Sequence, residues 1–305
     1  MRIGTFTGDV IGRGGLEGIR TEGAHAIEDG CSSFWLPSIF GVDPLTTLAI
    51  IAPDVPGIDL GVAVVPMTPR HPLVLAQQAL TVQAATGGRF KLGVGLSHQI
   101  VIESMLGLPW DRPLLRAREY LTVLCALVRE RTVAFTGETV SCNASLSVPE
   151  AAPLPIVLAA LGSQMLKLAG TIADGTTTWM CGPKTISEHI VPEITAAAEK
   201  AGRDRAPEVL ASAPVCVTAD VAGAKARAGE MLAMYGYLPS YRAMLDLEGA
   251  GGPADVAIVG SEAEVVEAIR GYAAAGATEF IAVNYSSDPA EYERTRAALR
   301  MLTGE

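Results

Sequence analysis

The segment DLGVAVVPMTPRHPLVLAQQALTVQAATGGRFKLGVGL, Asp59–Leu96, carries the pattern that decides the fold. A strongly apolar run, Leu60–Val65, halts at Pro66. Pro69, Arg70, His71 and Pro72 follow as a crowded corner, and a helical pattern begins at once. Proline suits the first turn of a helix because the N–H it lacks has no partner there. Gly87-Gly88 stops the helix, and a second apolar run, Phe90–Leu96, resumes. Neither run alternates polar with apolar residues, so each reads as a strand buried on both faces. Strand, short connection, helix and strand make the unit of a parallel sheet with right-handed crossovers. Arg70 and His71 are read as orienting the start of the helix.

The unit repeats along the 305 residues. Further strand-like runs are Arg2–Thr7, Ser32–Pro37, Pro155–Leu161, Gly175–Met180, Leu210–Thr218 and Glu279–Tyr285. Segments with helical spacing separate most of them, as in Leu16–Gly30 and in Ser261–Ala277, which opens on a Ser261/Glu264 capping box. Eight strand–helix units in about 250–300 residues are the arithmetic of a TIM (β/α)8 barrel, an α/β fold. A doubly wound open sheet, which usually has fewer strands, is the rival. Two stretches break the rhythm and are expected as insertions at the C-terminal face of a single barrel domain spanning residues 1–305. Ser97–Leu154 holds a long helix, Arg112–Glu130, and a hairpin-like tail, and is expected to build over the active site. Asp220–Gly260 is rich in Met and Tyr and reads as a lid or a subunit contact.

The net charge of −10 speaks against a nucleic-acid binder, which needs a basic stripe. No segment reaches the roughly 18 apolar residues of a membrane helix. The start, MRIGTFTGDV, does not read as a signal peptide. A cytoplasmic protein acting on a small molecule, without membrane or nucleic-acid partners, is expected. Cys31, Cys125, Cys142, Cys181 and Cys216 show no C-x-x-C spacing and are expected as buried free thiols. Neither they nor the four histidines fall at ligand spacing, so no metal site is expected. GVGLSH, Gly93–His98, has two glycines of a dinucleotide motif but His98 where the third belongs. Walker A, H-E-x-x-H and G-x-S-x-G patterns are missing.

A barrel carries its chemistry at the C-terminal ends of its strands. Those ends read Thr7/Gly8, Pro37/Ser38, Val65/Pro66, Ser97/His98, Leu161/Gly162/Ser163, Trp179/Met180, Thr218 and Asn284/Tyr285. They are small, apolar or aromatic, with few charges. Such a mouth suits a flat cofactor that carries the chemistry itself. Gly162-Ser163 opens a helix, where free N–H groups and a hydroxyl make an anion cradle; an ordinary serine cap is the plainer reading. His25 and His189 lie on helices expected to face outward. Glu103 is read as a solvated loop carboxylate. Gly12, Gly14 and Gly15 read as a flexible first loop that could touch an anionic tail.

The chain resembles the bacterial luciferase-like flavin and deazaflavin oxidoreductases, and within them the coenzyme F420-dependent branch. The resemblance rests on IEDGCSSFWLP, on LGVAVVPMTPRHPLVLAQQALTVQAATGGRFKLGVG, on LGSQMLKLAGTIADGTTTWM and on VEAIRGYAAAGATEFIAVNY. It implies a TIM barrel with the cofactor ring in its mouth, F420 or alternatively FMN, and a homodimer. It also implies a cis-peptide bulge within Ala63, Val64 and Val65 that backs the ring. By the same resemblance Leu161, Gly162 and Ser163 meet the cofactor phosphate, Ser97 and His98 lie beside ring and tail, and Trp179 and Met180 line the substrate pocket. Related alcohol and sugar-phosphate dehydrogenases carry an acid–base residue at the end of the second strand. Here that place reads Leu36-Pro37-Ser38, leaving Ser38 as pocket lining. The expectation is therefore a reductase that moves hydride from reduced F420 to a small apolar electrophile, with a proton from His98, Tyr285 or solvent. An FMN-dependent monooxygenase and a non-catalytic ligand binder are the alternatives.

Overall fold

The computed structural model describes residues 1–8 and 15–304. Its strands are β1 (Arg2–Phe6), β2 (Ser33–Leu36), β3 (Asp59–Pro66), β4 (Phe90–Gly95), β5 (Thr132–Thr136), β6 (Ser141–Ser145), β7 (Ile156–Ala159), β8 (Gly175–Trp179), β9 (Glu208–Val217), β10 (Ile258–Gly260) and β11 (Glu279–Asn284). Among the described residues, β1, β2, β3, β4, β7, β8, β9 and β11 pair in parallel in that order, and β11 returns to β1. This is the closed eight-stranded barrel expected from the alternation, and each of its strands falls on one of the expected runs. β10, three residues long, pairs in parallel with the end of β9 and was not foreseen. It is too short to leave a periodic signal.

The outer faces of the strands pack beneath the helices in one large core that includes Phe34, Leu60, Val62, Leu92, Val94 and Phe280. Inside the barrel, Trp35, Val157, Leu210 and Ile281 form a cluster of their own, with Phe6 and Ala63 against it. Below that layer lies a polar floor built from the first residues of the strands. Lys91 Nζ stands 2.8 Å from Glu208 and 3.5 Å from Glu279. Arg2 approaches Glu279 to 4.0 Å, and Ser33 Oγ donates to Glu279. The indole N–H of Trp35 donates to Ser33 Oγ at 2.8 Å, tying the apolar layer to the floor. Buried charges persist only when paired, and removing one partner of such a set costs about 3–5 kcal/mol.

The corner after β3 serves as orientation, as expected. His71 caps helix Pro72–Ala85 by accepting from Leu73 N, and its Nε2 reaches Ser141 O at 3.2 Å. Arg70 pairs at 2.8 Å with Asp43, itself the cap of helix Pro44–Ile51. The Ser261/Glu264 capping box is present. All five cysteines are buried and free.

The insertions need correction. Helix Pro113–Glu130 is the barrel's own fourth helix, with Ala117, Leu121, Leu124 and Val128 buried. The hairpin β5–β6 follows that helix. Its tip is tied to the flank of that helix by Glu119, which accepts the N–H groups of Glu138, Thr139 and Val140 at 2.9, 2.7 and 2.9 Å and the Thr139 hydroxyl at 2.6 Å. The second insertion leaves from the end of β9 as expected, through helix Val221–Met231, a tight turn Ala233–Gly236 and helix Pro239–Glu248. Among the described residues, no helix is long and apolar enough to cross a membrane.

The hydrogen bond from Thr139 and the three amides hold the Glu119 carboxyl down at about 2, against the usual 4.5. A depressed carboxyl contributes stability that is present above pH 4.5 and lost as the pH falls toward 2. Glu119→Gln is therefore expected to lower the unfolding midpoint at neutral pH. Its deficit relative to wild type should shrink on acidification, measured by thermal melts between pH 7 and 3; a deficit independent of pH would refute the assignment.

Candidate active site

The mouth begins at a bulge in β3. Val62 pairs with Leu92 and Val65 with Val94, so β3 spends one residue more than β4 over the same span. The peptide between Ala63 and Val64 is cis. The bulge expected in Ala63–Val65 is thus there. Val65 is buried, while Ala63 and Val64 are half-buried and face the open end. Room for Val64 comes from the GVG of β4. A Cβ built on Gly93 would sit 2.9 Å from Val64 Cγ1, and one on Gly95 2.8 Å from Val64 Cγ2 and 3.2 Å from Ala159 Cβ. These glycines are the packing complement of the bulge. The dinucleotide-like spacing noticed in the sequence has this cause.

Around the bulge the upper interior is small. Ala63, Val64, Gly95 and Ala159 occupy one side, and Thr177 of β8 and Ser212 of β9 continue the ring of short side chains. The sequence reading passed over Ala159, Thr177 and Ser212. Ser97 and Met180, the residues just beyond β4 and β8, have φ of 66° and 58°. Positive φ at non-glycine residues concentrates where a site over-determines the backbone.

His98 is half-buried at the end of β4. Its carbonyl receives the N–H groups of Val101 and Ile102, which starts the turn Val101–Met105. Burial pushes its imidazole below the usual 6.5, so it is neutral at pH 7. Its ring centroid lies 5.7 Å from that of Tyr241. Tyr241 stands 4.9 Å from Tyr235, and Tyr235 6.1 Å from Trp179, both edge to face. Two tyrosines of the second insertion thereby bridge the ends of β4 and β8. The Met/Tyr richness of that insertion was their only signal in the sequence.

Beyond β7, Gly162 caps helix Ser163–Ile172, and no side chain closes its first turn. Gly162 is exposed, and a Cβ there would meet nothing within 4 Å. Ser163 departs from expectation: its hydroxyl donates to Glu193 at 3.2 Å, and Lys167 lies 3.9 Å from the same carboxylate. The cradle is therefore made of backbone N–H groups alone. The Leu161 carbonyl accepts from His189 Nε2 at 2.7 Å. His189 was read as facing outward with no role, yet it fixes the strand end that carries the cradle.

Other candidates settle elsewhere. Tyr285 is buried and donates its hydroxyl to Ala224 O at 3.1 Å, so that proton is committed to backbone and Tyr285 is wall rather than donor. Met180 is buried in the same secondary cluster. Ser38 is half-buried beside exposed Ile39 and Phe40. Glu103 is exposed and receives Gln99 Nε2 at 2.8 Å. His25 faces Tyr292 at 3.0 Å on the barrel flank. Gly15 caps helix Leu16–Glu28, whereas Gly12 and Gly14 lie outside the described residues. After β9 and β11, the Glu291 carboxylate takes Ser287 N at 3.3 Å, Ser287 Oγ at 3.2 Å and Arg227 at 3.0 Å. No group of three or more His, Cys, Asp or Glu among the described residues could hold a metal ion.

A parallel barrel with a β3 bulge, a mouth of short and aromatic side chains among the described residues and an open helix start beyond its fifth strand is the setting in which the family match falls. The chain matches the luciferase-like monooxygenase family over residues 1–279 and belongs to it. Among its relatives is the 5,10-methylenetetrahydromethanopterin reductase of Methanolobus tindarius, 29% identical over 208 residues, 68% of this chain and 63% of that protein. Another is a putative coenzyme F420-dependent oxidoreductase of Mycobacterium tuberculosis, 30% identical over 229 residues, 70% of this chain and 66% of that protein. The matched stretch thus covers slightly under two thirds of each relative's length. The coenzyme F420-dependent tetrahydromethanopterin reductase of Methanopyrus kandleri shares the fold at TM-score 0.81 and 21% identity, over 100% of this chain and 97% of that one. EDTA monooxygenase from Chelativorans does so at TM-score 0.80 and 18% identity, over 100% and 93%.

Filling the space of Val64 should disturb the mouth. Gly95→Val is expected to destabilise the protein by about 1–3 kcal/mol through overpacking against Val64 and Ala159, read from urea unfolding. An unchanged midpoint would mean the bulge does not depend on β4 glycine.

Proposed function

We propose that the protein is a reductase that uses reduced coenzyme F420 to deliver hydride to a small, apolar, electrophilic acceptor. The observation that carries this is the mouth itself: a bulge over small side chains, ringed by apolar and aromatic groups, with His98 as the titratable side chain at its edge. Chemistry at such a mouth must come from what is bound there. The F420-named relatives favour the deazaflavin over FMN; the fold does not separate the two, because TM-scores of 0.81 and 0.80 fall on an F420 enzyme and on a monooxygenase.

The residues present fit the group. Ala63, Val64 and Val65 offer a flat apolar backing, Ser97 and His98 one side, and Leu161-Gly162 with the N–H groups of the Ser163 turn an anion position. F420, when bound, supplies a deazaflavin ring that carries hydride. The chain's part is orientation in a water-poor pocket. Trp179, Met180, Ser38 and Tyr285 border the acceptor's side. A neutral His98 donates one hydrogen bond, so it polarises or orients the acceptor, and the proton that completes reduction comes from solvent. The second-strand end, Leu36-Pro37-Ser38, lacks the base that alcohol oxidation needs. A cytoplasmic homodimer in which residues 1–305 act as one barrel unit belongs to the same reading; light scattering that reports a monomer would remove the dimer.

Titration with F420 and with FMN, followed by fluorescence, tests the cofactor. Micromolar binding of F420 with weak or no binding of FMN is expected; the reverse would make the protein an FMN enzyme, and binding of neither would favour a ligand carrier. Because a side chain at Gly162 meets nothing in the fold, Gly162→Leu should leave the melting temperature unchanged while F420 affinity falls ~tenfold, about 1.4 kcal/mol.

A further inference from the structure

We infer that Tyr241 is the positioning residue of His98, held in place by an anchor at the far end of its helix, and that it forms with Tyr235 and Trp179 an aromatic wall suited to a flat, uncharged acceptor. The wall's role toward an acceptor rests on the function proposed above; the positioning of His98 does not.

The argument starts from helix Pro239–Glu248. Tyr241, Met244, Leu245 and Glu248 follow three- and four-residue spacing, so they share one face. Met244 and Leu245 are buried on that face. At its end the Glu248 carboxylate accepts Thr185 N at 2.7 Å and Lys184 N at 3.3 Å, the leading amides of the segment beyond β8. Thr185 Oγ1 returns a bond to Met244 O at 3.2 Å. A side chain at Gly182 would run into the Glu248 carboxylate, so the contact is close-packed. The helix is thus clamped two turns from Tyr241, and Tyr241 is delivered against the ring of His98 at 5.7 Å. Tyr235, from the turn Ala233–Gly236, buttresses Tyr241 from the other side at 4.9 Å and 82°.

A tilted ring contact of this kind, at 54° between planes, restricts the imidazole and covers one side of it from water. Among the described residues, the titratable groups near His98 lie on the second insertion and on its own loop. Tyr241 comes from the helix, with Tyr235 behind it, and burial raises both phenols above their ordinary range. Its own loop brings Gln99 and the exposed Glu103, which are bonded to each other. Burial alone accounts for the lowered titration of His98. Tyr241 is the aromatic ring in contact with it at 5.7 Å, so removing that ring is expected to weaken the burial.

The test is carried out on the cofactor-free full chain, so that a failure of F420 binding leaves it intact. With four histidines in the sequence, the imidazole signals can be assigned by single His→Gln variants and titrated by NMR. Tyr241→Phe keeps the ring and is expected to leave the His98 midpoint in place. Tyr241→Leu should move it up toward 6.5, and so should Glu248→Gln, which weakens the anchor without touching the imidazole. Glu248→Gln also serves where Tyr241→Leu fails to fold. His25 and His71 should keep their wild-type midpoints in all three variants. If the His98 midpoint is the same in wild type, Tyr241→Leu and Glu248→Gln, Tyr241 does not position His98. For the wall, binding of menadione, a flat uncharged quinone, should weaken ~tenfold in Tyr235→Leu; equal binding to wild type and variant would overturn that part.

Discussion

The side chain of Val64 lies in space that Gly93 and Gly95 leave open, and the shape of the mouth follows from that fit. A bulge in an inner strand of a parallel barrel needs volume inside the barrel, where eight strands converge. β4 supplies it by carrying glycine at both inward positions beside the bulge, and Ala159 of β7 supplies more. The consequence is an upper interior lined on that side by short side chains, where many barrels carry branched ones.

Along the barrel axis the chemistry grades from charged to bare. The floor holds Lys91, Glu208, Glu279 and Arg2 in mutual contact, the middle layer is Trp35 with Val157, Leu210 and Ile281, and the top is short side chains. Charges at the floor are tolerated because each has an oppositely charged partner and because Ser33 and Trp35 donate to Glu279 Oε1. Placing them there also keeps them away from Val64, while the charges described at the open end, such as Glu291 with Arg227 and Glu193 with Lys167, are paired with each other. A hydride-accepting carbon is sensitive to such placement, since fixed charge near it would favour one oxidation state over the other.

The barrel was legible because its evidence is local and repeated. Eight apolar runs, most of them separated by segments of helical spacing, leave little freedom for another topology. The Ala63–Val65 bulge was legible through resemblance, and its packing partner sat in plain view as GVG, read only as part of an incomplete dinucleotide motif. What the sequence withheld depends on long-range pairing. Glu119 gathers the hairpin tip because it stands opposite three free amides, and only the fold brings them together. His189 reaches Leu161, and Tyr241 reaches His98, across separations that no periodicity encodes. Ser163 was read as a free hydroxyl because Glu193, thirty residues on, is invisible from its neighbourhood.

The same geometry decides where an anionic tail can go. Barrels that bind phosphate often do so in the loops after the seventh and eighth strands. In this chain those loops already hold an anion of their own: Glu291 takes up Ser287 N, Ser287 Oγ and Arg227. A phosphate there would face a carboxylate and find its donors spent. Beyond β7 the opposite holds for the backbone, because the turn at Gly162 is uncapped and open. Glu193 is the nearest objection, being anionic and close to Ser163, but it is turned toward Lys167 and Ser163 Oγ. On the function proposed above, a ligand with an anionic tail and a flat head would place its tail at the fifth barrel strand, its head over Val64 and its far edge toward the aromatic rings of the second insertion.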